Sequence, residues 1–482
     1  MTIATLDLRE LLGADAPQGV AVTGLTADSR EVKAGDVFVA VAGSRADGMR
    51  FAADAAKRGA AVVVGEGARP GDLAENVPYV RVDDARALLA RGAARLHPRQ
   101  PETIVAVTGT NGKTSVASFT RQIWSVLGME SASLGTLGVT TPKGDIKGSL
   151  TTPDPVALHR LLERLAGEGV THLAMEASSH GLDQRRIDGV RLAAGAFTNL
   201  TRDHLDYHQT LEDYRAAKLR LFDTLLPPGA AAVVNADSAE AGIVTAIAEQ
   251  RGLRLFAAGQ AGKDLQLDAT SQDGFGEILA VKAGGKAHRV KFPLVGGFQI
   301  SNALVAAGLA IATGAGAADA LAALETLQGA SGRLERVGDK HGAPVFVDYA
   351  HTPDALANAL DALRPHAKRL IVVFGCGGDR DPGKRPLMGE IAARRADRVI
   401  VTDDNPRRED AAAIRKAIVA AAPGATEVGN RAEAIKRAIA ELGPGDVLLV
   451  AGKGHETGQI VGDRTLPFSD QAEVRAALGE KR

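Results

Sequence analysis

The segment TGTNGKTS at residues 108–115 constrains the fold most, because it stands between an apolar strand pattern and a helical pattern. The strand pattern is TIVAVTG, and the helical pattern runs on to Leu127. Glycines in such a turn let backbone N–H groups approach phosphate oxygens, and the start of the following helix adds positive potential. This arrangement predicts a parallel α/β sheet that binds a nucleotide.

Each residue type in this loop suits a phosphate site. Gly109 and Gly112 give close backbone access, Lys113 supplies a charge for terminal phosphates, and Thr114 offers a hydroxyl to Mg²⁺. The eight-residue P-loop pattern requires glycine where this chain has Val107. The alternative is a tight turn that contains Gly-Lys-Thr by chance, and the flanking strand and helix favour nucleotide binding.

The length of the chain and a linker-like segment predict three domains. A chain of 482 residues exceeds what one hydrophobic core organises, and HPRQPE at 97–102 has the composition of a linker. The strand patterns PVFVDYA, LIVVFG, DRVIVTDD and DVLLVAGKG alternate with helices near the C-terminus. We therefore predict a small α/β domain at 1–98, a central P-loop-type parallel-sheet domain at 99–332, and a Rossmann-like domain at 333–482.

Composition excludes some partners. The 57 basic and 58 acidic residues nearly balance, which favours neither nucleic acid nor a membrane surface. The N-terminus lacks a secretory signal pattern, and the uncharged run around Ala303 to Ala318 is too short for a membrane span and predicts a buried helix. The single cysteine, Cys376, fits a reducing compartment. We expect a cytoplasmic protein with no obligate protein partner.

The run TGTNGKTS also resembles the Mur ligases, a family that includes the folylpolyglutamate synthases. Within that family, DNPR at 404–407 and GKGHE at 452–456 resemble the branch that adds meso-diaminopimelate as the third residue of the stem peptide. Further matches lie in order along nearly the whole chain: TADSR at 26–30, TTPD at 151–154, EASSHGLDQRR at 176–186, NLTRDHLDYH at 199–208, YRAAK at 214–218 and DYAHTPD at 348–354.

The resemblance implies an ATP-dependent ligase of peptidoglycan precursor synthesis. Such an enzyme transfers phosphate from ATP to a carboxylate of a UDP-muramyl dipeptide, and the amine of diaminopimelate attacks the acyl phosphate. Mg²⁺ is the implied cofactor. The implied ATP contacts are Gly109, Thr110, Asn111, Gly112, Lys113, Thr114, Ser115, Asn302, Arg333 and Asp348.

The same resemblance implies that Lys113, Glu176, His204 and Lys218 are catalytic, with Thr114 and the last three as Mg²⁺ ligands. Lys218 matches a lysine that is carbamylated in similar ligases, and a carbamate turns its cation into an anionic metal ligand. The residues alone also allow a solvated strand-end glutamate and an ordinary exposed helix lysine. His208, four residues after His204, is expected to be local structure.

The UDP-muramyl dipeptide is expected to bridge the first two domains. The family pattern often has His-Gln-Ala where this chain has Ser44, Arg45 and Ala46, and Arg45 suits a diphosphate. The implied contacts are Ala27, Ser29, Ser44, Arg45, Ala46, Thr151, Thr152, Ser178, Gln184 and Arg186.

Three loops of the last domain, GCGGDRD, TDDNPR and AGKGHE, each follow a predicted strand and therefore meet at one sheet edge. Diaminopimelate needs a cation for its distal carboxylate, which Arg407 and Arg380 supply, and an anion for its distal ammonium, which Asp404 and Glu456 supply. The RRED run alone also reads as a solvated charge cluster. The implied contacts are Arg380, Asp404, Asn405, Pro406, Arg407, Gly452 and Glu456.

Two rivals remain at this stage. One is a lysine-adding ligase or a folylpolyglutamate synthase of the same fold. The other is a P-loop NTPase that binds a partner and switches without ligation.

Overall fold

Buried apolar runs form the strands of three main sheets in the computed structural model, which describes residues 6–13, 18–43, 47–146, 148, 150–204 and 207–479. The predicted three-part α/β architecture is confirmed, with a parallel sheet at the centre of each part. The boundaries proposed after residues 98 and 332 fall in segments between these sheets.

The first part is a four-stranded parallel sheet of order β3-β4-β5-β6, with a two-stranded antiparallel pair β1-β2 beside it. Apolar side chains of α1 and α3 cover this sheet. Its elements are β1 (Leu6–Asp7), α1 (Leu8–Leu12), β2 (Ala21–Val22), β3 (Gly24–Thr26), β4 (Asp36–Ala40), α2 (Ala52–Lys57), β5 (Val62–Gly65), β6 (Tyr79–Arg81) and α3 (Ala85–Leu96).

The central part is an eleven-stranded sheet of order β10-β9-β8-β11-β7-β12-β13-β14-β15-β16-β17. Helices α4 and α9 cover one face of it, and α5 and α8 cover the other. Its elements are β7 (Thr103–Thr108), α4 (Lys113–Val126), β8 (Ser131–Gly135), β9 (Gly138–Thr141), β10 (Gly144–Ile146), α5 (Pro155–Gly167), β11 (His172–Glu176), α6 (Ser179–Asp183), β12 (Leu192–Phe197), α7 (Leu211–Arg220), β13 (Ala231–Asn235), α8 (Ala241–Arg251), β14 (Arg254–Gly259), β15 (Leu265–Asp273), β16 (Gly276–Ala283), β17 (Lys286–Phe292), α9 (Gly297–Ala312) and α10 (Ala317–Ala323).

The last part is a six-stranded sheet of order β18-β19-β23-β20-β21-β22, parallel except for β18, with the hairpin β24-β25 beside it. Its elements are β18 (Glu335–Lys340), β19 (Ala343–Asp348), α11 (Pro353–Leu363), β20 (Arg369–Phe374), α12 (Lys384–Arg395), β21 (Arg398–Val401), α13 (Ala411–Val419), β22 (Thr426–Glu427), α14 (Arg431–Ala440), β23 (Asp446–Ala451), β24 (Gly458–Val461), β25 (Arg464–Pro467) and α15 (Asp470–Leu478).

The single buried helix predicted around Ala303 to Ala318 is wrong, because α9 ends at Ala312 and α10 begins at Ala317. Gly314 takes a φ of 114°, and the N–H groups of Gly314 and Ala315 donate to the carbonyls of Ile311 and Ala310. This is the Schellman pattern that ends a helix at a left-handed glycine. Among the described residues, none of the helices combines the length and apolar character that spanning a lipid bilayer requires.

Candidate active site

The phosphate loop connects β7 to α4 and is held open by its glycines. Gly109 and Gly112 adopt φ values of 141° and 88°, which side chains rarely permit. The N–H of Thr110 donates to the carbonyl of Asn199 at 2.9 Å, which ties the loop to the end of β12. Lys113 donates from Nζ to the carbonyls of Gly109 and Thr110, both at 2.9 Å. The predicted strand, glycine loop and helix are therefore present.

Two residues of the C-terminal domain reach this loop. Arg333 donates from Nη2 to Oγ1 of Thr114 at 3.3 Å, and its guanidinium lies 4.7 Å from the ring centre of Tyr349. Asn111 donates from Nδ2 to Asp354 at 3.5 Å. The predicted approach of Arg333 to the nucleotide site from the C-terminal domain is thus visible in its contact with Thr114.

Asn302 and Asp348 flank the same region. Asn302 packs so closely on the loop that a β-carbon at Gly112 would collide with its Oδ1. Asp348 ends β19 and accepts from the N–H of Leu334 at 2.5 Å. Burial raises the pKa of Asp348 to about 6. Ser115, the last residue of the predicted loop, is buried within α4.

Lys218 is almost completely buried in α7, although a lysine is rarely found inside a protein without a partner. Its Nζ donates to the carbonyl of Gly109 at 2.7 Å and lies 4.3 Å from the ring centre of Tyr214. Burial, followed by the charge of Lys113, lowers the pKa of Lys218 well below its usual value. The exposed helix lysine that the sequence also allowed is therefore excluded.

Glu176 ends β11 and is buried rather than solvated. Its carboxylate accepts from the backbone N–H of Thr136 at 2.8 Å and from the hydroxyl of Thr136 at 3.2 Å. Sequence reasoning did not identify Thr136. The residue directly follows β8, but the sequence of β8, SASLG, lacks the apolar run by which a strand is predicted.

His204 has a left-handed backbone with a φ of 53°, which is uncommon outside glycine. Its N–H donates to Asp203 at 2.8 Å, and its ring stands edge-on to His180 at 5.1 Å between centres. His208 is buried, and its backbone N–H donates to the carbonyl of His204 at 2.9 Å.

Whether Glu176, His204 and Lys218 suit a magnesium ion depends on the chemical form of Lys218. Within the described ranges, no three His, Cys, Asp or Glu side chains converge as ready ligands. Lys113 and Lys218 instead bring two amines to one carbonyl, that of Gly109. As an amine, Lys218 does not suit a divalent cation, whereas its carbamate would supply the anionic oxygen ligand that Mg²⁺ prefers.

A chain of hydrogen bonds joins the residues predicted for the muramyl peptide. Thr152 bonds the carbonyl of Glu176 at 3.0 Å and the hydroxyl of Ser178 at 3.1 Å. Arg186 donates to the carbonyl of Thr152 and to Oε1 of Gln184, both at 2.7 Å. Thr151 and Thr136 share a bond of 3.1 Å between their hydroxyls. The structure thus brings all five predicted residues together beside Glu176: Thr151, Thr152, Ser178, Gln184 and Arg186.

The predicted uridine contacts are only partly visible. Ala27 and Ser29 lie in the turn after β3, where Asp28 and Arg30 form an ion pair. The segment Ser44, Arg45 and Ala46 lies outside the described residues. An ion pair of 2.7 Å between Asp84 and Arg185 joins the first two domains.

A cleft of about 720 Å³ lies between the central loop at 202–204 and the C-terminal domain. It contains six of the seven residues predicted for diaminopimelate: Arg380, Asp404, Asn405, Arg407, Gly452 and Glu456. Pro406 is not among its lining, and its carbonyl packs against Gly378. The three loops therefore meet at one sheet edge, as the strand pattern predicts.

Asn405 is the centre of this loop cluster. Its Oδ1 accepts from Nζ of Lys453 at 3.0 Å and from the N–H of Ile460 at 2.9 Å. Its Nδ2 donates to Oε2 of Glu456 at 2.8 Å. These bonds occupy both acceptor positions and one donor of the amide. Asn405 therefore holds the loops together and also lines the cleft, and the direct substrate contact predicted for it stays a prediction.

Lys453 was missed by the sequence analysis, although it lies inside GKGHE. Its side chain is fully buried and pairs with Glu456 at 2.9 Å. Glu456, predicted as an anion for the substrate ammonium, therefore already neutralises a protein cation through Oε2. No sequence signal separates a buried lysine of this kind from an exposed one.

Arg407 is fixed by the neighbouring hairpin. Its N–H donates to the carbonyl of Ile460 at 3.0 Å, and its carbonyl accepts from the N–H of Gly462 at 2.7 Å. Its Nη1 donates to the carbonyl of Gly378 at 2.8 Å. With a φ of 53°, the residue is held in a left-handed conformation that directs it into the cleft.

The cleft also contains residues that the sequence analysis did not assign. The Nδ1–H of His351 donates to the carbonyl of Tyr349 at 2.8 Å, and the carbonyl of His351 accepts from Lys384 at 2.9 Å. The signal for His351 was the DYAHTPD motif, which begins at the last residue of β19. Cys376 is buried with its Sγ 3.6 Å from the sulfur of Met388, in agreement with a structural role.

The fold and the site define a multidomain P-loop enzyme in which a second α/β domain contacts the nucleotide loop through Arg333 and Asp354. The chain belongs to the Mur ligase family. The model of the Mur ligase family catalytic domain matches residues 21–97, that of the Mur ligase middle domain matches 107–310, and that of the Mur ligase glutamate ligase domain matches 332–454.

Named relatives extend over the whole chain. The UDP-N-acetylmuramoyl-L-alanyl-D-glutamate--2,6-diaminopimelate ligase of Bradyrhizobium diazoefficiens is 58% identical over 99% of this chain and 100% of its own. A solved structure of an enzyme of that name has a TM-score of 0.71 and 33% identity, and the match covers 99% of both chains. The MurF ligase from Thermotoga maritima in complex with ADP shares the fold, with a TM-score of 0.62 and 19% identity over 95% of this chain and 97% of its own.

Proposed function

We propose that this chain is the ATP-dependent ligase that joins meso-diaminopimelate to UDP-N-acetylmuramoyl-L-alanyl-D-glutamate. The observation that carries this proposal is the cleft that gathers the DNPR and GKGHE loops at one sheet edge, opposite residues 202–204 of the central part. Full-length relatives with 58% identity bear the corresponding name. The products are the tripeptide, ADP and phosphate.

The reaction has two steps. In the first, a substrate carboxylate oxygen attacks the γ-phosphorus of ATP, so that an acyl phosphate forms and ADP leaves. In the second, the amine of diaminopimelate attacks the acyl carbon, phosphate leaves, and the amine loses a proton as the amide forms. Positioning and charge neutralisation provide most of the catalysis of such phosphoryl transfers.

The nucleotide is held by the phosphate loop. The N–H groups of Gly112 to Ser115 at the start of α4 would meet the β- and γ-phosphates, whereas those of Thr110 and Asn111 donate to Asn199. Lys113 would exchange its bonds to loop carbonyls for phosphate oxygens. Arg333, already on Thr114, neutralises the developing charge from the C-terminal domain. Asn302 lies on the adenine side, and Asp348 accepts from a ribose hydroxyl.

Mg²⁺ would be held by Thr114, Glu176, His204 and the carbamate of Lys218, and when bound it would neutralise charge on the transferred phosphoryl group. Carbamylation joins the neutral amine of Lys218 to CO₂ and releases one proton. The burial of Lys218 supports this reaction, because burial favours the neutral amine. As a carbamate, Lys218 would bring a negative charge to the Mg²⁺ site, whereas its ammonium form would bring a positive one.

Carbamylation of Lys218 is tested by carbon-13 NMR of the enzyme equilibrated with labelled CO₂. We expect one carbamate signal in the wild type that is lost in Lys218→Ala. An active wild-type enzyme without that signal would contradict the modification, and would leave the ligase proposal intact.

The UDP-muramyl dipeptide would lie between the first two domains. Its peptide end would meet Thr151, Thr152, Ser178, Gln184 and Arg186, whose network ends at Glu176. The reacting carboxylate would then lie beside the phosphate loop. The uridine end would meet Ala27, Ser29, Ser44, Arg45 and Ala46. Since these precursors are made in the cytoplasm, we place the enzyme there.

Diaminopimelate would occupy the cleft of the C-terminal domain. Arg407 and Arg380 provide the positive charge for its distal carboxylate, while Asp404 and the second oxygen of Glu456 provide the negative charge for its distal ammonium. Lysine lacks that carboxylate and would leave Arg407 unpaired. A polar group left without its partner discriminates strongly between substrates.

The proposal is tested by the substrate dependence of ADP release. We expect sustained turnover to ADP only when ATP, the UDP-muramyl dipeptide and diaminopimelate are all present, with one ADP for each amide. ATP turnover without the amino acid would support a P-loop switch instead. Equal turnover with lysine would support the lysine-adding branch.

A further inference from the structure

Arg431 and Asp470 form an ion pair whose side chains are both 0% exposed. The pair is bidentate, with Nε to Oδ1 at 2.7 Å and Nη2 to Oδ2 at 2.6 Å. It joins the first residue of α14 to the first residue of α15. Because desolvation offsets the attraction between buried charges, such a pair is weak evidence for a purely stabilising role.

Arg431 has two further contacts, both with backbone carbonyls at the substrate edge of the sheet. Its Nη2 donates to the carbonyl of Ala451 at 2.9 Å, and its Nη1 donates to that of Asp403 at 3.4 Å. Ala451 directly precedes Gly452, and Asp403 directly precedes Asp404. One guanidinium therefore joins the starts of two loops that line the cleft.

These two loops touch each other. Gly452 has a φ of 118°, and a β-carbon there would lie 2.6 Å from Oδ2 of Asp404. Although burial lowers it, the pKa of Arg431 is raised overall, by Asp470 and then by the charges of Asp404 and Glu456. Arg431 therefore stays charged and lies within electrostatic range of Asp404 and Glu456, two of the carboxylates that line the cleft.

We propose that Arg431 is a positioning residue for the amino-acid substrate, and that its guanidinium, oriented by Asp470, sets the distance between the loops that carry Asp404 and Gly452. This inference rests on the proposed function. Asp404 lies at the proposed ammonium-binding end of the cleft. Displacement of its loop therefore weakens the binding of the amino acid without altering the nucleotide site. The ion pair thus links α15 to the binding of the third substrate.

The test is the double variant Arg431→Met with Asp470→Leu, assayed for the KM of each of the three substrates. Replacing both partners of a buried ion pair by apolar side chains is often neutral for folding, whereas removing one leaves a buried charge. We expect the KM for diaminopimelate to rise about tenfold or more, since small misplacements of binding groups have effects of this order. The KM values for ATP and the UDP-muramyl dipeptide should stay unchanged.

The matched control is Arg369→Met with Asp446→Leu. That pair, at 2.6 Å, lies at the opposite edge of the same sheet, where Arg369 also donates to the carbonyl of Glu441. The control should leave all three KM values unchanged. If the Arg431 variant does not fold, Arg431→Lys decides, because lysine keeps the charge beside Asp470 but does not span both carbonyls.

An unchanged KM for diaminopimelate in the folded double variant, or in Arg431→Lys if the double variant does not fold, overturns the inference. An equal rise in all three KM values also overturns it, since that reports general loss of structure. A wild-type enzyme that releases no ADP in response to diaminopimelate contradicts the proposed function itself, and so the two failures are distinguishable.

Discussion

Arg407 combines a left-handed backbone, two backbone hydrogen bonds to the β24-β25 hairpin and a guanidinium in the cleft. Each feature has a different cause. The hairpin fixes the backbone, Gly378 fixes one side of the guanidinium, and the residue lines the cleft. At this scale, the proposed selection of the amino acid would depend on a charge that is held in place before the substrate binds.

Arg407→Ala should raise the KM for diaminopimelate and leave that for ATP unchanged. Removing one partner of a buried charge pair costs about 2–5 kcal/mol, which corresponds to roughly 30-fold or more in affinity. Steady-state kinetics with each substrate varied in turn measures the effect. The control is Arg408→Ala, because Arg408 is 77% exposed and pairs only with an exposed aspartate. Similar KM values in both variants would contradict the assignment.

Asp348 provides a pH-dependent test. Its pKa, raised to about 6 by burial, lies above the usual value of 3.8, so the carboxylate becomes protonated as the pH falls through 6. If the ionised form accepts from the ribose of ATP, the KM for ATP should rise below pH 6. In Asp348→Asn it should be higher but constant between pH 5.5 and 7.5. A wild-type pH profile preserved in Asp348→Asn would assign the titration to another group.

At the scale of elements, the strand β7, the glycine loop and helix α4 act as one unit. Gly112 begins α4 with a φ of 88° and packs against Asn302, while Gly128 follows the end of α4 with a φ of 80° and open space around it. The two glycines therefore have similar backbones but different surroundings. Comparing the two positions therefore separates the effect of backbone strain, which both share, from the effect of the contact with Asn302, which Gly112 makes and Gly128 does not.

Gly112→Ala and Gly128→Ala should each lower stability by about 1–2 kcal/mol, the cost of a left-handed conformation for alanine. Only Gly112→Ala should also lose ADP affinity, because its β-carbon displaces Asn302 and the loop. Thermal unfolding measures the first effect, and calorimetric titration with ADP measures the second. Equal ADP affinity in the two variants would contradict the tight fit of the loop.

Elements with strong apolar periodicity could be predicted from the sequence. Strands β7, β11, β19, β20, β21 and β23 follow from their valine- and leucine-rich runs, whereas β8 (SASLG) and β18 (ERVGDK) do not. The first strand consists of small residues and the second is a charged strand at the sheet edge, so neither has the pattern of a buried strand. The strands β13 and β14 were also missed, although the sheet continues through them.

The residues of the site likewise divide into those that could be predicted from the sequence and those that could not. The phosphate loop and the three cleft loops could be located because each follows a strand, which sequence reveals. Thr136, Lys453 and Arg431 could not, because their importance comes from burial and from hydrogen bonds to distant segments. A sequence does not show which lysine or arginine the fold encloses.

At the scale of the whole molecule, Arg333 connects two domains. It follows the central domain in sequence, contacts Thr114 of the phosphate loop and packs on Tyr349 of the C-terminal domain. The proposed nucleotide and amino-acid sites would therefore meet at this junction. Closure of such a junction around substrates completes a catalytic site.

Arg333→Ala should lower kcat by about 10³-fold, in the range measured for arginines that stabilise phosphoryl transfer. The effect on ADP affinity should be much smaller, because the phosphate loop itself is unchanged. The control is Arg336→Ala, whose guanidinium lies 5.4 Å from the ring centre of Phe275 and is half-exposed. Equal losses of kcat in the two variants would remove the special role of Arg333.

The most direct test of the central claim is the ratio of kcat/KM for meso-diaminopimelate to kcat/KM for lysine in the wild-type enzyme. A cleft built to pair the distal carboxylate should give a ratio of about 10⁴ or more. A ratio near one would contradict the assignment of Arg407 and its neighbours as the determinants of the third substrate.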